Sequence, residues 1–117
     1  MTPKARSMHL LRNQGYLVGN VEMWIPIPGQ QHKVTKDLFG FADLIATGHG
    51  ENWLIQVTSK ANISTRIKKI IACSDAKRWL EIPTNRIAVH GWYKAKKPIL
   101  GRRWIDVRRE VSMADFT

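Results

Sequence analysis

Asp43 stands out first, because it sits alone among apolar neighbours in the run Phe41-Ala42-Asp43-Leu44-Ile45-Ala46. An unpaired carboxylate in such surroundings is costly, so a cation, a hydrogen-bond network or a sheet edge must compensate it. The next apolar run, Trp53-Leu54-Ile55-Gln56-Val57-Thr58-Ser59, ends in Lys60. Strand periodicity puts Gln56, Thr58 and Lys60 on one face. A carboxylate, an amide oxygen and the Val57 backbone carbonyl are hard oxygen donors suited to Mg²⁺, or to Mn²⁺ in its place. A nearby ammonium stabilises charge on an attacked phosphate, and a bound divalent ion improves water as a nucleophile. Phosphodiester hydrolysis needs that set. Each residue also has a plainer reading: Asp43 bonded to a turn, Gln56 and Thr58 on a solvated strand face, Lys60 an ordinary surface lysine.

The elements that would position these groups follow from periodicity. Residues 4–14 read as a helix, with Met8 and Leu11 on one face and Gly15 at its stop. Residues 16–25 alternate as a strand, and Pro26, Pro28 and Gly29 then mark a loop. Residues 39–46 and 53–59 read as a β-hairpin closed by a Gly-containing polar turn. Residues 62–80 read as one helix, capped by Asn62 or Ser59, with Ile63, Ile67, Ile70, Ile71 and Ser74 along one stripe. Cys73 falls inside it as a small packing residue. Strands follow at 86–93 and about 102–110, joined by a basic loop, Lys-Ala-Lys-Lys-Pro-Ile-Leu-Gly. The order is helix, three strands, helix, two strands, which suggests an α/β sandwich with a mixed sheet. No repeat, low-complexity tract or linker divides the chain, so residues 1–117 are expected to form one domain.

Composition bears on partners. The chain has 117 residues, 44% of them hydrophobic, which is enough for a real core. Nineteen Lys and Arg against nine Asp and Glu give a formal charge of +10. Such an excess captures polyanions, and nucleic acid leads, although a merely basic or ribosomal-type protein shares the feature. Lys94, Lys96, Lys97, Arg102 and Arg103 are dense enough to grip a phosphate backbone, with Trp92 and Tyr93 available for stacking. Lys68 and Lys69, with Arg66, add a basic helix face, which is most often simply solvated. With one cysteine, Cys73, neither an internal disulfide nor a multi-Cys zinc site can form. The four histidines show no ligand spacing, although His32 and His49 lie in loops near the proposed site as auxiliary candidates. There is no Gly-rich phosphate loop, so no nucleotide cofactor is expected. No apolar stretch approaches a membrane span, so a soluble intracellular protein without a membrane partner is expected.

Gly40-Phe41-Ala42-Asp43 followed by Leu54-Ile55-Gln56-Val57 resembles the two motifs of the PD-(D/E)xK nucleases, over roughly residues 5–93. Within that superfamily it is similar to Holliday junction resolvases and to phage nucleases with a Q-x-K motif. Ala42 replaces the usual Pro. The resemblance implies a restriction-endonuclease-like three-layer core, a central mixed sheet flanked by helices. It implies Mg²⁺-dependent endonuclease activity on DNA, including branched or structured DNA in recombination and repair, and a homodimer. Asp43 would be the central metal ligand and Gln56 would take the second acid's place. The family's lysine position is occupied by Thr58, which makes Lys60 the nearest substitute and Lys68 or Lys69 further ones. Glu22 and Asp37 are candidates for the additional acid. The departure at position 58 keeps open a non-catalytic DNA-binding protein on the same fold, and the charge alone keeps open a basic RNA-binding protein.

Overall fold

A computed structural model of the chain describes all residues except Gln30 and His32, together with the side chain of Lys33. The auxiliary role expected for His32 lies outside the described residues. The protein is α/β, with a mixed five-stranded sheet flanked by helices. The elements are α1 (Pro3–Asn13), β1 (Leu17–Asn20), β2 (Met23–Pro26), β3 (Lys33–Lys36), β4 (Leu44–Gly48) and β5 (Glu51–Ser59). They continue with a 3₁₀ turn (Lys60–Asn62), α2 (Ile63–Ile71), α3 (Ser74–Leu80), β6 (Asn85–Ile99), β7 (Arg102–Val111) and a closing 3₁₀ turn (Met113–Phe116). The sheet order is β1-β4-β5-β6-β7, antiparallel throughout except for the parallel pair β5–β6. That parallel pair needs a crossover, and α2 with α3 supplies it.

Alternation along β5 builds two cores. Leu54 packs with Ile63, Ile70, Ile87 and Val89 beneath α2 and α3. Ile55 packs with Leu11, Val18, Leu44, Ala46 and Ala88 beneath α1. Thr2 caps α1 by accepting from the Ala5 N–H at 3.1 Å, and Pro3 occupies the first turn, where its missing N–H costs nothing.

Four expected elements differ, each for a local reason. The strand expected over 16–25 breaks after Asn20, whose side-chain oxygen accepts from the Glu22 N–H at 3.0 Å in a tight turn. Beyond the turn, β2 pairs with β3 in a separate two-stranded ribbon, and β3 takes up the end of what reads as loop. The strand expected from residue 39 begins at Leu44, because Phe39 (φ 56°) and Gly40 (φ 81°) adopt left-handed conformations. They close a turn held by paired backbone bonds between Leu38 and Ala42, each 2.9 Å. The single helix expected over 62–80 is two, because Cys73 is extended (φ −95°, ψ 116°) and precedes a new helix start at Ser74. Cys73 is therefore a junction residue, and its thiol donates to the Phe39 carbonyl at 3.3 Å. Neither Asn62 nor Ser59 makes a side-chain cap.

The basic stretch after Tyr93 is not a loop. β6 runs on to Ile99, past a register irregularity between Lys94 and Ile99, and turns at Leu100 (φ 49°) and Gly101 (φ 77°) into β7. Lys94, Lys96, Lys97, Arg102 and Arg103 thus ride on a long hairpin arm, all exposed.

Candidate metal centre

The turns at residues 20–22 and 38–42 deliver three carboxylates to one place. After the Asn20 turn, the Val21 N–H donates to the Asp43 carbonyl at 2.9 Å, which brings the next residue, Glu22, beside Asp43. Asp37 enters just ahead of the Leu38–Ala42 turn. One carboxylate oxygen from each of Glu22, Asp37 and Asp43 lies within 4.8 Å of the others. Asp43 is buried, at 7% exposure, and the other two are half-buried.

Asp43 is anchored from both sides of its backbone. Its N–H donates to the Ile55 carbonyl at 2.9 Å, and its carboxylate accepts from the Val57 N–H at 2.8 Å. Even so, its pKa is pushed up from 3.8 to about 7. Burial is the main cause, opposed by the Val57 N–H. The negative charge of Asp37 and hydrogen bonding with the Glu22 and Asp37 carboxyls add to the rise. Lys4 and Lys69 offset the charges of Glu22 and Asp37, and Asp43 is left without a cationic partner among the described residues.

Gln56 forms part of the same cavity wall as these acids. It is 3% exposed, and its Oε1 has no hydrogen-bond partner. A buried carbonyl oxygen with nothing to accept is expensive, on the order of 1–3 kcal/mol. Gln56 lines the same cavity of about 700 Å³ as Glu22, Asp37, Asp43, Val57 and Thr58. Three carboxylates converging on that cavity are oxygen donors of the kind hard divalent cations take, and the Gln56 side chain stands in the same wall. The residues present therefore fit Mg²⁺ or Mn²⁺. Val57 also lines the cavity, but the bond seen is from its N–H to Asp43, whereas its carbonyl is the expected ligand atom.

Of the expected lysines, Lys69 reaches the carboxylates, whereas Lys60 does not line the cavity. Lys60 opens the 3₁₀ turn instead of extending β5, so strand periodicity does not reach it. Its ammonium sits 4.5 Å from the Tyr93 ring centroid, and it is not among the cavity's lining residues. Lys4, from the first turn of α1, lines the cavity and pairs with Glu22 at 3.6 Å. Arg66 of α2 also lines it. Lys69 pairs with Asp37 at 3.8 Å, as a lysine reaching in from the helix after β5, while Lys68 is exposed on that helix. Lys4 opens the helix expected over residues 4–14, but nothing in the sequence tied that end of the helix to Asp43. His49 is remote from the site: its Nε2 contacts the Gln14 carbonyl at 2.8 Å. Trp24, 63% exposed on β2, and Thr35 on β3 form the ribbon side of the cavity.

Compared with family models, curated proteins and solved structures, the chain gives no significant match.

Proposed function

We propose that this protein is a metal-dependent endonuclease acting on DNA, built on a restriction-endonuclease-like core. The observation that carries the reading is the convergence of the Glu22, Asp37 and Asp43 carboxylates on one cavity whose wall buried Gln56 also forms. Glu22, Asp37, Asp43 and Gln56 would hold Mg²⁺ or Mn²⁺, and the Val57 peptide orients Asp43 for that role. The ion's contribution when bound is Lewis-acid neutralisation of the scissile phosphate and a lower pKa for water.

The chain's own groups do the rest. Asp43, whose pKa without an ion is near 7, would be ionised as a ligand, so binding of the cation would release a proton. Lys4 and Arg66 at the cavity wall supply positive charge to a phosphate entering it. Lys4 takes the part for which Lys60 is the expectation, since Lys60 is occupied with Tyr93. The β6–β7 arm, with Lys94, Lys96, Lys97, Arg102 and Arg103, holds the backbone without reading bases. Branched or structured DNA is the substrate class, and a homodimer would supply the two cuts that resolving a junction requires.

A second reading is a DNA-binding protein without catalysis. Lys60 turned onto Tyr93 and Thr58 at the lysine position favour it. Labelled four-way junction, flap, duplex and single-stranded DNA, incubated with Mg²⁺, Mn²⁺ or EDTA, decide between them. Metal-dependent cuts that disappear in Asp43→Ala, while DNA affinity stays, are expected. Binding without cutting on every substrate selects the second reading. An RNA competitor that displaces DNA at equal or lower concentration would instead favour a basic RNA-binding protein.

A further inference from the structure

A second cavity, of about 400 Å³, opens between α1 and the β6–β7 arm. Its walls include Arg6, Leu10, Trp92, Trp104, Arg102 and Arg103. Its volume falls within the range typical of sites for small organic ligands. No acid lines it, and among the described residues none of these three arginines has a carboxylate partner. Three unneutralised guanidiniums around two indoles call for an anion that also has a flat apolar surface.

The walls are held in place. Trp92 is 6% exposed, and its indole N–H donates to Ser7 Oγ at 2.9 Å, which fixes the ring from inside α1. Ser7 is fully buried and also contacts His90 Nδ1 at 3.2 Å, so the anchor is itself secured. The Arg6 guanidinium lies 4.5 Å from the Trp104 ring centroid. Arg103 donates to the Ala95 and Lys96 carbonyls at 3.4 and 3.2 Å, which ties it to β6.

We infer that this cavity takes one unpaired nucleotide of a DNA strand. The base lies among Trp104, the Arg6 plane and Leu10, and the adjoining phosphates meet Arg102 and Arg103. Both indole and guanidinium planes stack on bases, and a base inside duplex DNA cannot reach either. The inference rests on the DNA reading for its choice of polymer but not on catalysis, because the cavity is separate from the carboxylates. It narrows the substrate to DNA with an exposed base, as at a branch or a single-stranded segment.

The test is binding of fluorescent octathymidylate and of a blunt 20-base-pair duplex in EDTA, where no cleavage interferes. The wild type is expected to bind both. Trp104→Ala should weaken octathymidylate binding about tenfold or more while changing duplex affinity less than about twofold, and Trp104→Phe should restore most of the loss. Asn13→Trp, which obstructs the cavity from an exposed position, should reproduce the selective loss, and it serves if Trp104→Ala does not fold. Photocrosslinks from 4-thiothymidine in wild type should map to Leu10, Trp92 or Trp104. Equal losses for both ligands, no loss, crosslinks only elsewhere, or no octathymidylate binding by wild type would each overturn the inference. Duplex binding and metal-dependent cleavage would survive that outcome, so it would not count against the nuclease reading.

Discussion

Asp43 pays an energetic penalty that a cation would remove, and this fixes how the metal-free protein responds to pH. In the unfolded chain the group titrates near 3.8, and in the folded chain near 7. Between those values the folded state binds more protons, so stability present at low pH is lost as pH rises through about 4 to 7. His90 acts in the opposite sense. Burial first, then the charge of Arg108, lowers its pKa from 6.5 to about 4, so its contribution is lost as pH falls through that window. Asp43→Asn isolates the first effect. In EDTA at pH 8 the variant should melt higher than wild type, and the difference should shrink towards pH 4; an equal or lower melting temperature at pH 8 would remove the case for a strained carboxylate. Gln56→Leu deletes an oxygen that has no partner, so it should cost less than about 1 kcal/mol by chemical denaturation in EDTA. A large loss would mean that the oxygen is bonded after all. Both residues were legible in the sequence as polar groups among apolar ones. Their joint geometry with Asp37 was not, because it depends on a turn formed by a non-glycine residue, Phe39, at positive φ.

At the scale of elements, the site depends on how closely β6 approaches the turn after β5. A Cβ on Gly91 would lie 2.4 Å from Ile63 Cδ1 and 2.9 Å from the Lys60 Cα. Backbone and a core isoleucine both stand in the way, so Gly91→Ala is expected to destabilise by about 1–3 kcal/mol. On the nuclease reading its DNA cleavage should fall as well, since α2, which carries Arg66 and Lys69, starts from that turn. Urea denaturation against wild type checks the first point; no change in midpoint would mean that the approach relaxes freely. The strands and helices that hold the two cores were readable from their periodicity, including the β4–β5 hairpin and α1. The failures fall where a single side-chain or backbone bond redirects the chain. Asn20 bonding to the Glu22 N–H ends β1 and sends the chain into a separate ribbon. Cys73 in an extended conformation ends the α2 stripe although Ile70, Ile71 and Ser74 continue its spacing. Lys60 illustrates the consequence for function, because its assignment to the site assumed one more residue of strand than exists.

Across the whole molecule, one region gathers acids and another gathers basic residues. Three of the nine acids meet in one cavity, while five basic residues line the exposed arm of a chain with net charge +10. On the proposed reading, the arm captures a polyanion while the carboxylates hold a cation. Duplex affinity should fall steeply with salt. Lys96→Ala and Lys97→Ala should each reduce the slope of log K against log[salt] by about one and leave the metal response intact. Unchanged slopes would place the DNA elsewhere. No described helix is long and apolar enough to cross a membrane. The charge imbalance was plain in the composition, but the extension of β6 was not, because Pro98 and three lysines read as a loop. Calorimetric titration of the protein with Mn²⁺ at pH 8 addresses the central claim most directly. One equivalent should bind to wild type, more weakly below pH 7, with affinity lost in Asp43→Asn and reduced at least tenfold in Gln56→Leu. No binding by wild type, or binding that both substitutions leave untouched, would contradict a metal centre formed by Glu22, Asp37, Asp43 and Gln56.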